Sequence, residues 1–126
     1  MTHSKFDSTS SYVWLVIADR VICSAELATT SSQRRRGLLG RDSVEGALLI
    51  SKCRWVHTLG MKFAIDVAFL DNAGRVVKTK TLKPNRISAP VPKASTVVES
   101  EAGSHQRWGL KVGDVIEVRR PSEVNN

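Results

Sequence analysis

Residues 65–82, IDVAFLDNAGRVVKTKTL, constrain the fold more than any other stretch of the chain. Ile65, Val67 and Phe69 alternate with Asp66, Ala68 and Leu70. An extended backbone therefore puts the first three on one face and the second three on the other. DNAG is turn chemistry, and RVVKTKTL follows as the partner strand. Other short runs repeat the theme. YVWLVIA is dense in β-branched and aromatic residues, as strands are. Asp19-Arg20 separates it from VICSAELA, which leaves two readings: a tight hairpin, or one long strand with a bulge. GALLI, RWVHT and TVVESEA read as strands, and KVGDVIEVRR as a Gly-Asp turn followed by a last strand. In RWVHT, Trp55 and His57 point one way and Val56 and Thr58 the other. About seven strands joined by short turns predict a mainly β, single-domain, antiparallel β-sandwich or irregular barrel.

One basic α-helix interrupts this pattern. In TTSSQRRRGLLGRDS, Thr30, Ser31 or Ser32 can cap the amino end. Leu38 and Leu39 supply the buried side, and Gly40 fits the left-handed residue that stops a helix. Gly37 inside it costs about 1 kcal/mol against Ala, and marks either close backbone packing or a merely tolerated glycine. GSHQRWGL predicts one short helical turn anchored by Trp108. KPNRISAPVPKAS holds three of the four prolines and is expected as a long surface loop. Residues 1–10 and 121–126 are expected as flexible tails around a domain at 11–120.

Size and composition exclude several classes. A chain of 126 residues with a hydrophobic fraction of 41% has room for one core and little long disorder. A net charge of +7 favours weak attraction to polyanions without dictating a fold. No apolar run approaches the ~20 residues of a membrane helix. Only Lys5, balanced by Asp7, precedes YVWLVIA, and DRV stands where a cleavage site would need small residues, which argues against a signal peptide. The chain is expected in the cytoplasm. Cys23 and Cys53 lie far apart in apolar patterns with no CxxC, and read as buried free thiols.

Four strings, RRRGLLGR, VHTLGMKFAIDVAFLD, VVESEAG and GLKVGDVIEV, occur in that order between Ala28 and Val118. Together they resemble the uncharacterised prokaryotic family known as domain of unknown function 192, DUF192. Ala64 stands where members of this subgroup usually carry proline, which leaves the approach to Asp66 less rigid. The resemblance implies a compact, mostly β, sandwich-type domain and implies no activity, so function has to be argued from residues.

Trp55, His57 and Asp66 stand inside an otherwise apolar run. If LGMK forms a turn, His57 and Asp66 lie on neighbouring strands within about 5–8 Å. Three readings follow. In the first, the face is a non-catalytic site for a small molecule or protein partner: Trp55 stacks, His57 and Asp66 make polar contacts, Met61 and Glu99 border it, and the Pro-rich loop covers it. In the second, His57 and Asp66 pin two strands together, with Trp55 and Met61 in the core. In the third, a hydrolase or isomerase uses His57 with Asp66 and a carboxylate from Glu99 or Glu101. Thr58 points away from His57, and no G-x-S-x-G elbow supplies a nucleophile, so no catalytic residue is assigned.

No cofactor or metal is expected. Cys53 and His57 on a strand would stand about 13 Å apart, too far to share one ion at ~2 Å per ligand. Arg34, Arg35, Arg36 and Arg41 form a candidate phosphate or nucleic-acid patch, with a solvated helix face as the alternative. At 6% aromatic residues, platforms for base stacking are scarce, so nucleic-acid binding is expected to be weak. GLLG lacks the Lys-Ser/Thr pair of a phosphate loop. The best single description is a binding module with its site near Trp55, His57 and Asp66.

Overall fold

The alternation at residues 65–70 becomes an interior strand of a sheet in the computed structural model, which describes residues 12–121. The expectations for residues 1–10 and for the last five residues of the chain lie outside the described residues. Seven strands form in chain order: β1 (Tyr12–Ile17), β2 (Arg20–Ala28), β3 (Ala47–Ser51), β4 (Ile65–Leu70), β5 (Val76–Leu82), β6 (Thr96–Glu101) and β7 (Glu117–Arg119). Two short helices, α1 (Ser31–Arg36) and α2 (Ser104–Trp108), accompany them. The strands make one sheet in the order β5-β4-β6-β3-β2-β1-β7.

That sheet curls into a half-barrel, and its two edges meet at one end. Val76 N–H donates to the Asp114 carbonyl and Ile116 N–H to the Gly74 carbonyl, each at 2.8 Å. A Cβ on Gly74 would stand 2.6 Å from the Ile116 carbonyl oxygen, so only glycine admits this closure. The hairpin reading holds for β1 and β2: Ala18 and Asp19 take φ of 50° and 66°, the left-handed pair that matches strand twist in a two-residue turn. A register shift between Leu15 and Val16 adds a bulge to the same hairpin.

Four expectations need correction. The sheet is not wholly antiparallel, because β2 and β3 run parallel. The connection carrying α1 brings the chain back to the start of the neighbouring strand, which a short turn cannot do. The basic helix is shorter than its sequence pattern suggests and buries none of its residues. Thr30 caps it reciprocally with Gln33, and Gly37, not Gly40, ends it at φ 54°, ψ −129°. Leu38 and Leu39 fall in the turn beyond, where Leu38 still enters the core. RWVHT makes no regular strand; His57 forms one isolated bridge with Ile87. Its alternation survives, with Val56 and Thr58 buried and Trp55 exposed.

Finally, no residue of the Pro-rich loop lines the pocket beside Trp55 and His57. The loop is laced to residues 54–58, where Thr58 Oγ1 donates to the Lys83 carbonyl at 2.6 Å and accepts from Arg86 N–H at 2.9 Å. Val56 N–H donates to Ser88 Oγ at 2.9 Å, and Val91 N–H to the Arg54 carbonyl at 2.9 Å.

The core has two parts, one on each sheet face. Ile65, Val67 and Phe69 pack with Leu48, Ile50, Val97 and Leu38 on one side. Ala68 and Leu70 pack with Val13, Leu15, Ala47 and Val98 on the other. Both faces of β4 are therefore dry, and any polar side chain on it requires partners inside the protein.

Candidate functional site

Strand parity divides the polar residues that sequence reasoning had grouped together. Asp66 lies opposite Ser100 of β6 and Thr81 of β5, while Glu99 lies opposite Val67 and Leu48. Successive residues of a strand face opposite sides, so Asp66 and Glu99 belong to different faces of the sheet.

Asp66 is already saturated. Its Oδ1 accepts from Thr81 Oγ1 at 2.7 Å, and its Oδ2 accepts from the backbone N–H groups of Gly103 and His105 at 3.0 and 3.1 Å. It caps α2 from across the sheet, because Gly103 at the helix start has no side chain to do so. The His57–Asp66 pairing is therefore corrected, as is the placing of Asp66 in a site with Trp55. Its histidine neighbour is His105, whose Nδ1 is 4.0 Å from Oδ2. Burial holds the His105 imidazole below its ordinary value, against the pull of Asp66. A cleft of about 500 Å³ borders this pair, lined also by Thr79, Lys80 and Gln106. His57 instead accepts at Nδ1 from Leu59 N–H at 3.2 Å, leaving Nε2 as its donor.

On the opposite face, a second pocket of about 440 Å³ opens between α1 and residues 52–57. It joins Trp55, His57 and Glu99 with Arg34, Arg35 and Arg36, two clusters that sequence reasoning held apart. Trp55 is 49% exposed, not core, and its ring lies 6.2 Å from that of His57 at 40°. Cys53 Sγ donates to the Trp55 carbonyl at 3.1 Å, tying the turn that presents the indole. Met61 is corrected as a site residue: it is buried in the core beneath this region and does not line the pocket. Arg41 does not line this pocket, although Arg36 reaches both it and the cleft beside Arg41. Arg41 forms a two-pronged pair with Glu26, at 2.7 and 3.3 Å, over that neighbouring cleft.

Glu99 forms part of the pocket wall at only 3% exposure, flanked in the sheet by aliphatic side chains. Its Oε1 has no hydrogen-bond partner among the described residues. Burial pushes the carboxyl up to about 7, against the opposing field of Arg41. The space for it comes from Gly37: a Cβ there would stand 3.1 Å from Oε1. Neither reading of Gly37 holds as the sequence suggests it: the residue ends the helix at positive φ instead of standing inside it, and its close neighbour is a side chain, not backbone.

Sequence reasoning missed Lys52, Cys53 and Arg54 as pocket residues. The signal was their adjacency to Trp55, obscured by reading the segment as regular strand. Burial also pushes the Cys53 thiol up, which favours its protonated form. Among the described residues, no group of three or more His, Cys, Asp or Glu side chains could hold a metal ion, and no helix is long and apolar enough to cross a membrane.

Fold and pocket together define a class: a small, curled β-sheet domain with a basic, tryptophan-flanked pocket on one sheet face. Within that class the chain belongs to the DUF192 family, whose model, described as "Uncharacterized ACR", matches residues 14–118. It is 40% identical over 65 residues to the UPF0127 protein PF1050 of Pyrococcus furiosus, a match covering 52% of this chain and 56% of that protein. It is 32% identical over 98 residues to a UPF0127 protein of Thermococcus sibiricus, covering 73% of this chain and 64% of that one. The chain thus spans less than two thirds of the length of these curated relatives. A crystal structure of a protein of unknown function from Novosphingobium aromaticivorans shares the fold, with a TM-score of 0.70 and 19% identity over 86% of this chain and 84% of that one.

Proposed function

We propose that this domain is a non-catalytic binding module for a small molecule, held in the pocket between α1 and residues 52–57. The observation that carries the reading is the unpartnered Oε1 of Glu99 in the pocket wall. A buried polar atom without a partner costs about 1–3 kcal/mol. A ligand group that hydrogen-bonds there removes that cost. Trp55 supplies a contact plane at the pocket wall and His57 a polar contact. A volume of about 440 Å³ lies within the usual range for small-molecule sites. The reading carries with it a cytoplasmic setting, which the free thiols of Cys23 and Cys53 support.

A thermal-shift screen of a metabolite library against wild type, Trp55→Ala and His57→Ala tests it. The expected result is a set of compounds that raise the melting temperature of wild type and leave both variants, still folded, unmoved. Equal shifts in all three proteins for every compound would remove the pocket from consideration.

A further inference from the structure

Five cationic side chains line the pocket: Arg34, Arg35, Arg36, Lys52 and Arg54. Three of them are turned to neutral backbone oxygens. Arg34 donates to the Thr29 carbonyl, Arg36 to that of Leu39 and Arg54 to that of Ala94. Arg35 and Lys52 have no hydrogen-bond or ion-pair partner among the described residues. None of the five pairs with a carboxylate there, whereas Arg41, Lys62, Arg107, Lys111 and Arg119 all do. Glu99 is the one acid in the pocket lining, and its burial disfavours the charged form. The pocket is therefore a focus of uncompensated positive charge, walled on one side by low-dielectric sheet. The same lining carries a half-exposed indole and a buried carboxyl with a free oxygen.

Resting on the pocket reading above, we infer that the ligand is a small organic anion: a flat ring beside Trp55, a phosphate or carboxylate held by the arginines and Lys52, and a polar group hydrogen-bonded to Glu99. Each part has its own receptor. The flat ring meets the indole plane. The anion meets the free guanidinium of Arg35 and the ammonium of Lys52, which suit phosphate and carboxylate alike. A neutral Glu99 donates to a ligand oxygen without repelling the anion; an ionised one would repel it. A single exposed tryptophan provides no track for successive bases, which favours a small molecule over a polynucleotide.

Calorimetry at low ionic strength with two matched pairs tests this: AMP against adenosine, and indole-3-acetate against tryptophol. Each pair keeps a ring and alters the charge. The proteins are wild type, Arg35→Glu, Trp55→Ala and the near-isosteric Glu99→Gln, each checked for folding by circular dichroism. At least one anion is expected to bind roughly tenfold or more tighter than its uncharged partner, and to lose a similar factor in Arg35→Glu. Which pair responds identifies the combination of ring and anion that the pocket takes. Uncharged partners that bind as well as the anions, and lose binding in Trp55→Ala, overturn the anion inference and leave the pocket reading standing. Binding of none of the four, or binding that no substitution changes, counts against both. Tighter capture of a short single-stranded oligonucleotide than of AMP overturns the small-molecule class in favour of a polynucleotide.

Discussion

Replacing Glu99 by Gln should change how stability depends on pH. In the folded protein burial raises this carboxyl from its ordinary 4.5 to about 7. The folded state thus holds the proton more tightly than the unfolded chain does. The resulting stabilisation is fully present below about 4.5 and is lost as pH rises through about 7. At about 1.4 kcal/mol per pH unit, the difference amounts to roughly 3 kcal/mol, on the order of 10 °C in melting temperature for a domain of this size. Glutamine keeps the shape and removes the titration.

Wild type and Glu99→Gln should therefore melt at similar temperatures near pH 4.5. Wild type should fall progressively below the variant toward pH 8. The other groups facing the carboxyl are Arg41, which opposes the rise, Arg34, Arg35 and Arg36 from the α1 side, and Lys52, Cys53, Arg54 and His57 from the adjoining turn. Their own ionisation is common to both proteins, and the pull of Arg41 on the carboxylate is already contained in its raised value. Melts followed by circular dichroism in unliganded protein at half-unit pH steps measure it. Parallel curves from pH 4.5 to 8 would mean that Glu99 ionises freely, and the reasoning about a buried, unpaired acid would fail with it.

Two further substitutions probe the frame around the site. Gly37→Ala forces a side chain onto a backbone at φ 54°, ψ −129° and toward Glu99 Oε1, and should cost about 1–3 kcal/mol in a denaturant melt; an unchanged midpoint would show that the turn has slack. Asp66→Asn offers an amide where the carboxylate accepted from Thr81, Gly103 and His105, and should cost about 2–4 kcal/mol. Hydrogen exchange should quicken in α2 first, while ligand affinity in the Trp55 pocket stays as it was, since the two lie on opposite sheet faces. Loss of that affinity with α2 intact would contradict the division of the faces.

Much of the frame was legible in the chain itself. The alternation of Ile65, Val67 and Phe69 with Asp66, Ala68 and Leu70 gives the two faces of β4 as observed, because period-two exposure belongs to any extended backbone. The DNAG turn, the one-turn helix ending at Trp108 and the cap at Thr30 follow from local chemistry in the same way. The candidate site was legible only in pieces. Trp55, His57 and Glu99 do share one pocket with Arg34, Arg35 and Arg36. Asp66 and Met61 belong elsewhere, held by partners distant in sequence, and Arg41, near enough to act on the Glu99 carboxyl, is paired to Glu26 outside the pocket lining.

The sequence by itself determined which segments are extended, where most of them turn, and which side chains alternate toward apolar surroundings. Only the tertiary structure decided who stands beside whom: His57 beside Ile87 and not Asp66, β2 parallel to β3, and an arginine turn over a buried glutamate. The physical reason is that periodicity acts between neighbours along one strand. Pairing partners are chosen by burial and hydrogen bonding summed over the whole curled sheet.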